Sequence, residues 1–321
     1  MSQATASVQA IAAPEAEPGS PSRRPARVTA LPAPGLTRWS NGLFVLPFLV
    51  VYLALLVAPL LFGWWLSLRD VDLLADYSEL VGLANYVELW HEPIFRGAVR
   101  NTFSFVLMTT PAFVVIGLLL ALALNRPGKL AAGLRATFFG ASVLSVTVVT
   151  LVWRLVTMAD RGMVANVCRA LHVHQLYPFA TEALALPTVA LVTVWWIIGF
   201  PMMLFLAGLQ QIPRDVYEAA ALDNAGRWRT LFSITLPSLR RTVALVAIIE
   251  IVLQFQLFGQ AFLLTQGGPN NSSRPIVQFI YQTGFQQWRL GLASAAAQVL
   301  FALMLLGVSL QAWIARRREP G

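Results

Sequence analysis

The sequence has 321 residues, 57% of them hydrophobic and 12% charged, with a formal net charge of +8. That is more apolar side chain than a soluble domain of this length needs for its core, which excludes water as the main solvent of the chain. The basic excess does not make a nucleic-acid surface, because Lys and Arg sit at the ends of apolar runs and form no basic face.

Residues 1–37 are rich in Ala, Pro and Ser and nearly free of large apolar side chains, so they cannot offset the entropy of ordering; a disordered tail is expected. An apolar run then begins near Leu43. It is long enough to span and no small-residue cleavage site ends it, so it reads as a membrane helix rather than a removable leader. Spanning takes roughly 20 apolar residues, and six segments meet that length, near Gly42 to Leu66, Thr102 to Leu124, Ala136 to Thr157, Leu184 to Leu209, Val243 to Leu264 and Gly291 to Ile314. The fold class expected is therefore all-α integral membrane, with a six-helix domain over 38–315 and a basic terminus at 316–321.

Between these runs, one set of connections holds Arg23, Arg24, Arg27, Arg38, Arg126, Lys129, Arg135, Arg214, Arg227, Arg229, Arg240, Arg241, Arg316, Arg317 and Arg318. The other set holds about half as many. The positive-inside rule places the first set, and both termini, in the cytoplasm. The outer segments, 69–101, 158–183 and 265–290, are too long for tight turns and carry mixed aromatic and polar residues, which predicts short helices on the outer face. Gly267-Gly-Pro269-Asn-Asn271 is a turn signal. Cys168 is the only cysteine, so no internal disulfide can form. His172 and His174 make an HxH pair in an outer loop, where an ordinary solvated segment outweighs a metal site.

The inner connection after the fourth run is longer than a link requires. It reads Gln211-Ile-Pro-Arg-Asp-Val-Tyr-Glu218-Ala-Ala-Ala-Leu-Asp223-Asn-Ala-Gly-Arg-Trp228-Arg-Thr-Leu-Phe-Ser-Ile234-Thr-Leu-Pro237. Pro213 suits a first helical position and Asp215 the first turn, where the helix dipole favours an anion. Small side chains dominate one face at Ala219 and Ala220. Asp223-Asn224 should end this helix, since Asn tolerates the left-handed conformation. A second amphipathic turn, with Trp228, Leu231, Phe232 and Ile234, is expected to stop at Leu236-Pro237.

This segment resembles the EAA loop of the permease subunits of binding-protein-dependent ABC importers. Glu218, Ala219, Ala220, Ile234, Leu236 and Pro237 match that pattern in type and spacing, and Asn224 stands where the family has Gly. Val81-Gly-Leu-Ala-Asn-Tyr86, Ala207-Gly-Leu-Gln-Gln-Ile-Pro213, Leu264-Thr-Gln-Gly-Gly-Pro269 and Gly291-Leu-Ala-Ser294 look like the carbohydrate branch, similar to the maltose and glycerol-phosphate permeases. The Gly-Gly-Pro segment looks like the first of the two paired subunits. The resemblance implies an ABC importer type I fold and a coupling loop at 211–240, where Glu218, Ala219, Ala220, Asp223, Asn224, Ile234, Leu236 and Pro237 would meet an ATPase. It also implies a second permease subunit, two cytoplasmic ATPase subunits holding ATP and Mg, an extracellular solute-binding protein, a sugar-like solute and a multi-pass place in the bacterial cytoplasmic membrane.

No phosphate-binding loop and no catalytic constellation stand in the chain, so it is expected to be non-catalytic and to bind no cofactor itself. Glu250 is the one carboxylate well inside a run, with Gln254 one turn on; Gln256 and Gln260 would form a stripe on nearly the opposite face. In the last run Gly291, Ser294, Ala295 and Gln298 make a small, polar stripe. It serves either close helix packing or hydrogen bonds to a solute from Ser294 and Gln298. Glu250, Gln254, Ser294 and Gln298 are the candidate pathway residues. Pro201 should kink the fourth helix. Trp195 and Trp196 are expected near an outer helix end, as membrane anchors or as platforms for a sugar ring. A stand-alone ion- or proton-coupled carrier is the alternative, but it needs coupled charges that Glu250 alone does not supply.

Overall fold

The computed structural model describes residues 38–72, 77–159 and 161–317; the tail expected over 1–37 and the residues from Arg318 onward lie outside the described residues. The chain divides into two units, 1–55 and 56–321. In the first, α1 (Arg38–Tyr52) leads into a π turn that starts at Leu53. Its large apolar side chains from Val45 onward are exposed, Phe48 at 67% among them. A helix that is apolar all round and buried on no side is made for lipid or for another subunit.

The second unit opens with α2 (Ala58–Ser67), then a hairpin of β1 (Arg69–Asp72) and β2 (Tyr77–Leu80), antiparallel with Arg69 opposite Leu80. This hairpin departs from the all-α expectation. Four-residue strands are too short to show an alternating pattern, and tertiary contacts fix these: Asn85 donates to the carbonyls of Ser67 and Arg69 at 2.9 and 2.8 Å, and the Ser67 hydroxyl meets Tyr86 Oη at 2.7 Å. The expected outer helices are present as α3 (Ala84–His91) and, further on, α7 (Met163–Ala170) and α15 (Ile276–Tyr281).

The long helix α4 (Pro93–Leu124) begins earlier than Thr102, where the apolar run starts. Glu92 caps it by accepting from the Ile94 amide at 3.2 Å, and Pro93 takes the first position, where no amide donor is needed. Its 32 residues make about 48 Å of helix, against roughly 30 Å of hydrocarbon.

The expected third span is not one helix. α5 (Lys129–Ser142) and α6 (Val146–Val156) meet at 98°. Ser142 turns its hydroxyl to the Phe139 carbonyl at 2.6 Å and Ser145 is the extended cap of α6, so backbone-competing side chains flank the break. α8 (Glu182–Ile197) and α9 (Gly199–Gln210) bend by 48°, as Pro201 predicts: its ring clashes with the carbonyl four residues back, at Ile197. Gly199 is required here, because a Cβ on it would strike the Phe138 carbonyl of α5.

After the inner segment, α13 (Arg240–Phe255) and α14 (Gly259–Thr265) bend by 47°. Gln256 caps α13 and Gln260 belongs to α14, so the stripe expected of the two does not exist. α16 (Leu290–Arg317) closes the chain. Among the described residues three helical stretches are long and apolar enough to cross a membrane, Val45–Ser67, Pro93–Leu124 and Leu290–Ile314, and up to six spans result if each bent pair is one.

Three apolar clusters hold the second unit. Around the start of α4 Leu89, Phe95 and Ala98 pack with Ile276, Phe279 and Leu292. Phe105, Val149, Val189 and Ala261 form a middle group. At the opposite end of α4 Ala121, Leu124, Phe205, Leu209, Leu239 and Val246 join α4, α9 and α13. Polar pins complete the first cluster: Asn101 donates to the carbonyls of Asn271 and Arg274 at 2.7 and 3.1 Å, and Thr102 Oγ1 accepts the Ile276 amide at 3.0 Å. The turn at Gly267–Asn271 is present, with Gly267, Asn270 and Asn271 at positive φ.

Candidate functional site

The inner segment is an elbow with two arms. The first is α10 (Arg214–Leu222). Pro213 is its extended cap rather than its first helical residue, and Asp215 lies in the first turn as expected. The helix ends in a Schellman turn: the Ala225 amide donates to Ala220 at 2.9 Å, the Asn224 amide to Ala221 at 3.1 Å, and Asn224 is left-handed at φ 51°. Asn therefore does here what Gly does in the EAA pattern. Gly226 then starts the second arm, α11 (Arg227–Thr230), followed by a π segment, Leu231–Thr235, and α12 (Leu236–Ser238).

Leu236-Pro237 does not stop this arm. The π turn shifts the hydrogen-bond ladder just ahead of the proline, whose missing amide falls at the start of α12. Thr235, buried, donates to the Thr230 carbonyl at 3.3 Å and meets Tyr217 Oη at 3.2 Å, so one hydroxyl ties the second arm to the first. Nothing in the spacing marked Tyr217 and Thr235, because the contact exists only once the elbow folds.

The candidate residues separate by exposure. Glu218, Ala219, Asp223 and Asn224 are exposed, and Leu222 stands 85% exposed at the tip. Ala220 is 6% exposed, covered by the chain itself, so of the two alanines expected to dock only Ala219 is open at the surface. Ile234 and Pro237 line a cavity of ≈ 540 Å³ with Val216 and Arg241. Leu236 lines a second, ≈ 680 Å³, with Trp228 and Phe232, whose rings stack at 6.0 Å. Both ends of the elbow are rooted together, for Leu209 and Leu239 share one apolar cluster.

Within the membrane run, Glu250 is 0% exposed and accepts a hydrogen bond from Gln254 Nε2 at 2.9 Å; its other oxygen has no partner among the described residues. The second pair lies elsewhere. Gln298 faces Gly63 of α2, its Nε2 3.5 Å from where a Cβ would stand. Gly307, nine residues on in α16, faces Ile251 and Phe255 of α13. At about 100° per residue these are opposite faces of α16, so the structure does not bring Gln298 and Glu250 together. Gly291 packs on the Arg69 carbonyl, which makes the Gly291–Gln298 stripe a close seam with α2 and the hairpin. Trp195 and Trp196 also move from their expected place: they sit by the α8–α9 bend, Trp195 edge-on to Trp153 at 5.6 Å and Trp196 donating to the Leu144 carbonyl at 3.2 Å. His172 and His174 are exposed, and among the described residues no three His, Cys, Asp or Glu side chains gather as a metal site.

Residues 81–320 match the model of the binding-protein-dependent transport system inner membrane component family. The chain belongs to that family. This permease is 30% identical over 267 residues to the probable ABC transporter permease protein YurN of Bacillus subtilis, covering 82% of this chain and 91% of that protein. It is 32% identical over 317 residues to the diacetylchitobiose uptake system permease protein NgcF of Streptomyces coelicolor, covering 92% and 89%. It is 29% identical over 307 residues to the sulfoquinovosyl glycerol transport system permease protein SmoG of Agrobacterium fabrum, covering 93% and 100%. A chain in the crystal structure of a bacterial alginate ABC transporter with an alginate pentasaccharide-bound periplasmic protein has the same fold, with a TM-score of 0.77 at 22% identity over 87% of this chain and 94% of that one. The chain is thus a permease subunit of an ABC importer.

Proposed function

We propose that this permease carries a sugar-like solute across the bacterial cytoplasmic membrane, paired with a second permease subunit, fed by an extracytoplasmic solute-binding protein and driven by two ATPase subunits that hold ATP and Mg. The observation that carries the mechanism is the elbow rooted at both ends in one apolar cluster, through Leu209 and Leu239. Closure of the ATPases moves membrane helices only through a rigid contact, and this elbow passes displacement to α9 and α13 at once. Glu218, Ala219 and Leu222 supply the exposed contact; Ala220, Thr235 and Asn224 keep it stiff. The sugar assignment is supported by relatives whose names specify saccharides. Both termini lie in the cytoplasm in this reading, as the Arg and Lys distribution requires. Within the membrane, the Glu250–Gln254 pair is the stronger pathway candidate, since a buried carboxylate with a spare acceptor suits a water-filled or partner-lined passage. Ser294 and Gln298 serve packing.

Co-expression with the neighbouring permease and ATPase genes, followed by purification on a tag placed on this chain, tests the assembly. All three subunits should elute together and hydrolyse ATP faster when solute-loaded binding protein is added. A chain that elutes alone from membranes where the others are present would refute the reading.

A further inference from the structure

The end of α4 that carries Glu92 meets the start of α16 around a cavity of ≈ 320 Å³, lined by Glu92, Arg274, Phe279, Gln282, Thr283 and Arg289 among others. This is the outer face in the topology above, away from the elbow and from Glu250. Its volume is at the low end of small-molecule sites, about 300–1,000 Å³. Two of its charged residues are already engaged. Arg289 holds Glu88 through two parallel hydrogen bonds, 2.6 and 2.8 Å, and Glu92 accepts the Ile94 amide at 3.2 Å.

Arg274 is different. It is half-buried, its Nε is sealed from solvent, and its guanidinium makes no hydrogen bond or ion pair among the described residues. Its backbone is fixed, because its carbonyl accepts from Asn101 of α4. Burial holds the Arg274 pKa below its ordinary value, so the cation is kept partly desolvated with no ion pair to offset it. Gln282, on the same wall, has a buried amide oxygen without a donor. An apolar ring, Phe279, backs the site. A wall with a free planar cation and an unmatched acceptor calls for a ligand that brings both a carboxylate and a hydroxyl.

We propose that this outer cavity binds a carboxylate-bearing sugar unit of the transported solute, its carboxylate on the Arg274 guanidinium and a hydroxyl on Gln282. The inference rests on the solute-transport reading and adds to it the class of solute and a second place of contact. An acidic side chain of a docking protein would satisfy Arg274 but would leave Gln282 without a donor.

The test uses the assembled importer in nanodiscs without binding protein, titrated with glucuronate and, as the neutral control, glucose. Glucuronate should bind saturably and at least ten-fold more tightly than glucose. Arg274→Gln should weaken glucuronate ten-fold or more, Arg274→Lys less, since it keeps the charge and loses the fork, and Gln282→Leu should weaken both sugars. Complex yield and melting temperature report whether each variant is folded. Equal binding of the two sugars, no saturable binding, or indifference to Arg274→Gln in a complex of normal yield would overturn the proposal. So would an Arg274→Gln complex that binds glucuronate normally but loses docking of solute-free binding protein, which would give the anion to that protein. Failure of the subunits to assemble at all bears on the importer reading, not on this site.

Discussion

Adjacent alanines on α10 give a sharp test, because one faces out and the other faces in. Ala219→Trp adds a large side chain where nothing of this chain opposes it, so the fold should change by no more than about 0.5 kcal/mol. The same side chain obstructs whatever docks there. Ala220→Trp instead forces an indole into a position the chain already covers, and overpacking of that kind costs roughly 1–3 kcal/mol. At about 1.4 kcal/mol per factor of ten, the elbow then opens roughly 5- to 150-fold more often. The Ala225 amide, held by the Ala220 carbonyl at 2.9 Å, reports that opening directly. Hydrogen exchange should therefore accelerate at Ala225 in Ala220→Trp and stay unchanged in Ala219→Trp. ATPase retention on a tagged complex, and the hydrolysis stimulated by loaded binding protein, should fall in both variants. The reasoning fails if Ala219→Trp retains and stimulates the ATPase at the wild-type level. It fails equally if Ala220→Trp leaves exchange at Ala225 untouched.

Three more expectations follow from single contacts. Asn224→Gly should preserve coupling while Asn224→Val destabilises the elbow by about 1–2 kcal/mol, since only the β-branched residue resists positive φ; exchange at Ala225 measures it. Glu250→Ala leaves the buried Gln254 amide without its acceptor and should cost about 1–3 kcal/mol, read as lower complex yield. Glu250→Gln keeps a side chain of the same shape, so lost uptake at normal yield would assign Glu250 to the pathway. For topology, a cysteine introduced near Arg126 should resist a membrane-impermeant external label; native Cys168 is buried and its protection decides nothing.

Much of the fold was legible in one dimension because the bilayer imposes a length. Six apolar runs, the asymmetry of Arg and Lys, the Pro201 bend and the left-handed Asn224 each follow from a local constraint: hydrocarbon thickness, charge translocation, a ring clash, a single φ angle. The elbow belongs in the same class, since a fixed spacing of Glu218, Ala219, Ala220, Ile234, Leu236 and Pro237 survives without knowledge of any contact.

Where two or more distant segments decide the outcome, the sequence was silent or misleading. Composition reads 136–157 as one continuous span, yet the chain turns by 98° within it. The short strands after Ser67 exist because Asn85 and Tyr86 hold them. Whether Ala219 or Ala220 is open to a partner depends on which side of α10 the fold covers, and whether Gln298 joins Glu250 depends on the rotation of α16 between α2 and α13. Arg274 reads as one more loop cation until α4 and α16 close a cavity around it. Local conformation is set by a residue and its near neighbours, and so the sequence by itself determined the class, the apolar runs and the spacing of the elbow motif. Burial and opposition are properties of pairs far apart in the chain, and only the packed helices decided those.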